Sequence, residues 1–304
     1  MNGEALDSFQ LDLGGASEFG MMVVLAAMMF SVALGLRPAS FAFFKTEPRL
    51  YFTGVIAQMI ALPLLTLVMC FVINPHPSVA LGMILIACCP GGNTSNLIAL
   101  FARANTALSV SLTATSSVFA AFVTPVSILF WSGLYLPTRA LLTDINIDIL
   151  SFLANTLLIL ALPLLLGMTF RHLAPKIAKR IQTPLAILSG IALLAIIVIA
   201  SIRLLPVFMA LGIGIFILVI SHNCLAFALG NLAGRAIKTD TASRRALTIE
   251  VGIQNSGLGI VILLTQLGGV GGAGAVAGLW GVWHLIGGSG LALFWRWKDA
   301  RSTD

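Results

Sequence analysis

Apolar runs of about twenty residues recur along the whole chain, separated by short polar turns. As a helix, a run of that length crosses the ~30 Å hydrocarbon core of a bilayer. Nine are legible, near 17–36, 50–74, 78–102, 105–134, 146–170, 183–203, 206–233, 246–267 and 273–296. They lack the alternation of barrel strands, so the pattern predicts helices. The expected fold is all-α: a polytopic membrane protein, one transmembrane domain over residues 1–304.

Two of the runs are interrupted. The third carries CCPGGNTSN at 88–96, and the eighth carries LTIEVGIQNSG at 247–257. Pro90 removes a backbone donor, Gly91 and Gly92 loosen the helix, and residues 93–96 are types that cap a new one. In the second break Gly252 and Gly257 bracket Ile253, Gln254, Asn255 and Ser256. Freed backbone carbonyls are tolerated at membrane depth only where they line a cavity or an ion. Each broken run is followed by one more span. With one further helix at the N-terminus, the chain reads as two five-helix halves of inverted topology. Secondary transporters are built this way, with their broken helices crossing at the binding centre.

Composition supports a membrane protein. The chain is 59% hydrophobic and 9% charged, with a mean hydropathy of +1.03. A soluble domain carries about 25% charged residues. The net charge of +6 lies in loops. With the N-terminus outside, all but Arg139 and Arg203 of the 17 basic residues face the cytoplasm. The positive-inside rule then predicts a multi-pass protein of the cell (cytoplasmic or inner) membrane, N-terminus out and C-terminus in. It also removes nucleic acid as a partner. The N-terminal tail is acidic, unlike a signal or transit peptide. The 4 cysteines lie in apolar runs and read as small buried hydrophobes.

Of the 11 acidic residues, Glu250 alone sits well inside a run. A charged carboxylate there costs ~3 kcal/mol on insertion scales. It is either a protonated group hydrogen-bonded between helices or a cation ligand. Its neighbours favour the cation. Gln254, Ser95, Asn96 and freed carbonyls supply neutral oxygen, as do Gln58 and, four apart on one helix face, Ser109 and Thr113. For Ser109 and Thr113 the alternative is ordinary interhelical packing. The half-helix N-termini suit an anion. With no Lys or Arg deep in a span, backbone N–H groups, Asn93, Asn255 and the nearby hydroxyls of Thr94 and Ser256 would hold it. His284 is a packed histidine or a further substrate-site residue; His222 and Asn223 are weaker candidates.

These motifs resemble the bile acid:sodium symporter family. The resemblance rests on CCPGGNTSN, on RANTALSVSLT at 103–113 and on LTIEVGIQNSG, with VIAQMIALP at 55–63 and GVWHLIGGS at 281–289 in support. It implies a panel domain, a core domain and two sodium ions behind the crossing of the broken helices. One sodium would take Ser95, Asn96, Ser109, Thr113 and Glu250. The other would take Gln58, Glu250, Gln254 and the carbonyls of Val251 and Ile253. Nine spans match the animal members rather than the ten-span bacterial ones. Leu285 stands where bacterial relatives often have Asn, and Asn93 follows the animal pattern.

The expected activity is sodium-coupled symport of a small organic anion, a bile acid or a smaller acid such as pantoate, by alternating access. Proton coupling with Glu250 as the proton carrier is the alternative. A channel fits the interrupted helices poorly. No nucleophile–base spacing or metal motif suggests an enzyme.

Overall fold

The computed structural model describes residues 15–36, 43–92 and 94–301. Asn93, a substrate-site expectation, lies outside them, as does Arg37 of the charge pattern. The described elements are α1 (Gly15–Gly35), α2 (Phe43–Thr46), α3 (Pro48–Ile73), α4 (Pro77–Ala87), α5 (Thr94–Phe101), α6 (Thr106–Leu134), α7 (Leu136–Asp144) and α8 (Ile149–Leu173). They continue as α9 (Pro175–Arg203), α10 (Leu205–Ala236), α11 (Thr241–Gly252), α12 (Ser256–Gln266) and α13 (Gly271–Arg301). The protein is an all-α polytopic membrane protein. Six helices, α3, α6, α8, α9, α10 and α13, are long and apolar enough to cross a membrane.

The boundaries follow from local chemistry. Proline sits just inside the starts of α3, α4, α7, α9 and α10, where its missing N–H costs nothing. Asn105, Asp148, Asp240 and Asn255 cap α6, α8, α11 and α12, each accepting a backbone N–H of the first turn. The third and eighth runs are each split in two, α4 with α5 and α11 with α12. Within α3, residues Ala57–Ala61 form a π turn, one residue wider than an α turn, and Gln58 lies in it.

The helices pack as two groups. In the first, α1 lies between α8 and α9, with Phe30 and Phe170 6.0 Å apart. In the second, α3 to α6 and α10 to α13 enclose the breaks. Close approach there depends on small residues. A Cβ on Gly230 of α10 would fall 2.4 Å from the Leu247 carbonyl, and one on Gly82 of α4 2.6 Å from the Ala273 Cα. The groups meet where α8 packs on α6, α1 on α12, and α9 on α12 and α13, with Leu193 over Gly257 and Ile197 beside Trp280 in one buried cluster.

Candidate functional site: the crossing of the two broken helices

The two breaks are antiparallel and hydrogen-bonded to each other. Gly92 N–H donates to the Ile253 carbonyl at 3.2 Å, and Asn255 N–H to the Pro90 carbonyl at 2.8 Å. Gly91 and Gln254 form an isolated antiparallel bridge. Pro90 and the glycines thus free backbone groups that find partners in the other break, which is how buried backbone stays satisfied without a helix.

The second break is shorter than its glycines suggest. Gly252 ends α11 and Gly257 lies inside α12, so only residues 253–255 leave the helix. These glycines act through space. A Cβ on Gly252 would meet the Phe227 ring at 2.0 Å, and one on Gly257 would meet Leu193 at 2.1 Å.

Glu250 is fully buried on the last turn of α11. Its Oε2 accepts from Ser95 Oγ at 2.8 Å and Ser109 Oγ at 2.9 Å, and its Oε1 from Thr113 Oγ1 at 2.6 Å. Ser95 Oγ and Thr113 Oγ1 are 3.2 Å apart, and the Asn96 amide oxygen lies 3.0 Å from Ser109 and 3.4 Å from Thr113. Ser95, Asn96, Ser109, Thr113 and Glu250 therefore form one oxygen cluster, drawn from α5, α6 and α11.

Gly91 opens the other side of the carboxylate. A Cβ there would lie 2.4 Å from Glu250 Oε1 and 2.9 Å from Gln58 Nε2. Gln58 is 2% exposed, and its amide nitrogen has no partner among the described residues. The Gln254 amide nitrogen donates to the Val251 carbonyl at 2.8 Å, and its buried amide oxygen likewise has no partner among them. The Val251 and Ile253 carbonyls each accept one bond, which leaves each a second lone pair. The Gln58 amide thus meets Glu250 at Gly91, and Gln254 holds a buried amide oxygen in the second break.

The substrate-site expectations are dispersed. Thr94 is exposed at the start of α5. Asn255 spends its amide oxygen capping α12, accepting Leu258 N–H at 3.0 Å. Ser256 is buried with its hydroxyl toward Gly281 of α13. His284 is buried on α13 and has no hydrogen bond to either break among the described residues.

Three supporting residues carried little signal in the sequence. Ser116 accepts Gly91 N–H at 3.2 Å and donates to the Thr113 carbonyl; its spacing of three from Thr113 was the available sign. Asn223 donates to the Gly252 carbonyl at 2.8 Å, bracing the end of α11. Arg245, five residues before Glu250, makes a two-pronged ion pair with Asp299 of α13 at 2.8 and 2.6 Å, and donates to the Ala102 carbonyl just past α5. That clasp ties together the two half-helices that supply the oxygen cluster.

Among the described residues no group of His, Cys, Asp and Glu is placed to hold a metal. One carboxylate among hydroxyl and amide oxygens suits a hard cation, not a transition metal.

Comparison with known proteins agrees with this chemistry. The Sodium Bile acid symporter family matches residues 22–211, from α1 into α10. The uncharacterized sodium-dependent transporter YocS of Bacillus subtilis (strain 168) is 32% identical over 277 residues, 91% of this chain and 83% of that protein. An Arabidopsis thaliana protein named "Probable sodium/metabolite cotransporter BASS1, chloroplastic" is 33% identical over 259 residues, 82% of this chain; the chain spans 60% of its length. The ileal sodium/bile acid cotransporter of Homo sapiens is 24% identical over 238 residues, 78% of this chain and 67% of that one. All three are named as transporters, not enzymes. The chain belongs to the Sodium Bile acid symporter family.

Proposed function

We propose that the protein is a sodium-coupled symporter of an organic anion, with sodium bound at the Glu250 oxygen cluster and a second sodium between Gln58 and Gln254. The observation that carries this reading is a shortage of protons. The cluster contains six oxygen–oxygen approaches of 2.6 to 3.4 Å. Ser95, Ser109 and Thr113 bring one hydroxyl proton each, so half of those approaches have no proton between them. A monovalent cation among the oxygens converts repulsion into coordination. The second ion would draw on Glu250, Gln254, Gln58 and the spare lone pairs of the Val251 and Ile253 carbonyls.

The domain reading is a single transmembrane transporter domain, placed in the cell membrane with the N-terminus outside and the C-terminus in the cytoplasm. The distribution of basic residues supports it. Sodium would order the two breaks around Glu250. The N-terminal ends of α5 and α12 would then offer N–H groups, with Asn93, Thr94, Asn255, Ser256 and His284, to a carboxylate-bearing substrate. Access would alternate as α1, α8 and α9 rock against the other helices, the Leu193–Gly257 contact opening and closing. Coupling requires sodium and anion to bind one state better than the other.

Proton coupling is the second reading. The complete burial of Glu250 favours it, since one added proton would fill one of the empty approaches. Uptake of labelled taurocholate and of pantoate into proteoliposomes separates the two. Accumulation driven by an inward sodium gradient, and lost when potassium replaces sodium, supports symport. Accumulation that ignores sodium and follows a pH gradient replaces it with proton coupling.

A further inference from the structure

A small chamber lies beside the crossing, toward the end of the bundle that carries the 74–76 turn. It sits between the π turn of α3, the end of α4 and the middle of α6. Its free volume is about 10 Å³, room for roughly one water molecule. Gln58, Cys88, Cys89, Ser116, Thr124 and Ser127 line it.

Its polar groups are underused. The Gln58 amide nitrogen is buried without a partner among the described residues. The Thr124 hydroxyl makes no hydrogen bond among the described residues. Thr66, Thr115 and Thr265, also within helices, each donate to the carbonyl four residues earlier, the usual resting place of a helical threonine. Pro125 follows within α6 and has no N–H, so the Ala121 carbonyl loses its helical partner in the same stretch. Ser116 in the chamber wall accepts the Gly91 N–H, and Gly91 is where Gln58 and Glu250 converge. Ser127, Thr124, Ser116, Thr113 and Ser109 follow one another along α6 between the chamber and the oxygen cluster.

We propose that this chamber is the outward entrance for sodium. The Thr124 and Ser127 hydroxyls and the Gln58 amide oxygen can replace part of the ion's water shell, the water-sized volume admits a monovalent cation but no organic anion, and the Glu250 carboxylate behind Gly91 supplies the attraction. The inference rests on the sodium-coupled reading and on its N-out orientation.

The native Cys88 and Cys89 thiols in the wall provide the test. Silver(I) is a thiophilic monovalent cation close to sodium in size; it replaces the thiol proton, which leaves to water. The whole purified protein is heated in sodium nitrate and in potassium nitrate, with and without silver nitrate. Sodium should raise the unfolding midpoint, and silver should abolish that rise. The silver reaction should be at least tenfold slower in sodium than in potassium.

A Cys88→Ala/Cys89→Ala variant should keep the sodium effect and ignore silver, and Cys70→Ala/Cys224→Ala should behave as the parent. Thr124→Leu, which fills the chamber with both thiols in place, should slow the silver reaction at least tenfold. An insensitive parent, a Cys88→Ala/Cys89→Ala variant as sensitive as the parent, equal rates in the two salts, or a Thr124→Leu variant that reacts as fast each overturn the entrance. A parent with no sodium effect overturns the sodium reading itself, and the entrance with it. In membrane vesicles, silver added outside should consume the two thiols when they are right-side-out and spare them when they are inside-out; the reverse overturns the outward assignment.

Discussion

The backbone N–H of Asn255 donates to the Pro90 carbonyl at 2.8 Å, across an interval of 165 residues in sequence. Each break is completed by the other, so neither half of the chain carries a finished site. Glu250 from one break and Ser95 from the other meet only because this contact, and its counterpart from Gly92 to Ile253, hold the crossing in register.

Glu250→Gln should leave the fold intact and remove the sodium response. Glutamine keeps the shape and one acceptor oxygen but adds an N–H₂ where Ser95, Ser109 and Thr113 now donate. The check is the unfolding midpoint in sodium against potassium. A variant with the parent's sodium-dependent rise would falsify the placement of the ion at this cluster.

Gly91→Ala should act as strongly without replacing any charged group. The new methyl would lie 2.4 Å from Glu250 Oε1 and 2.9 Å from Gln58 Nε2. Three hydroxyls hold the carboxylate, so little can give way, and overpacking of this kind costs about 1–3 kcal/mol. The expected outcome is a lower midpoint in potassium and no gain in sodium. Sodium titration of the purified variant decides it.

Arg245→Ala should weaken sodium binding from a distance. Without the guanidinium, α11 loses its tie to Asp299 and to the Ala102 carbonyl, and α5 can shift relative to Glu250. The sodium concentration for half-maximal stabilisation should rise several-fold. Asp299→Ala should show part of the same effect, and the double variant should fall short of the sum, as residues sharing one interaction do. Strict additivity would remove the clasp from the argument.

Asp240 offers a pH test outside the membrane. It caps α11, and its bonds from Ser243, first the side chain, hold its carboxyl below the usual range against a smaller opposing effect of burial. The folded pKa lies under the unfolded value of about 3.9. Its contribution is therefore complete above that value and is lost as pH falls through the folded one. Asp240→Ala should cost about 1 kcal/mol near neutral pH, and should flatten the stability curve below about pH 4. Midpoints measured from pH 3 to pH 7 give the comparison.

Helix number and the two breaks were legible because they rest on strong local signals. A twenty-residue apolar run has few other fates, and Pro-Gly-Gly or a carboxylate inside one is conspicuous. Ser109 and Thr113 were legible as a pair because four residues bring side chains to one face. Ser116 and Arg245 were not, and Asn223 stood out only as a weak substrate candidate, since each acts across the bundle on a backbone group or a side chain far off in sequence. Gly252 and Gly257 read as the two ends of the second break, yet they admit Phe227 and Leu193, and nothing near them in sequence announces those partners. The chamber is harder still to foresee. It depends on a π turn in an apolar stretch, AQMIA, which has no distinctive composition.

That π turn makes α3 behave as two helices set out of phase by one residue. The turn takes up one extra residue, so straightening it into a plain α-helix with all five residues kept would turn everything beyond by about 100° relative to what precedes it. Thr66, which meets His222 at 2.7 Å, could then no longer be buried while Tyr51 kept its bond to Thr115 at 2.7 Å. The phase of α3 thus rests on the π turn more than on the identity of its residues: half-buried Met59 and exposed Ile60 can be exchanged for other apolar residues.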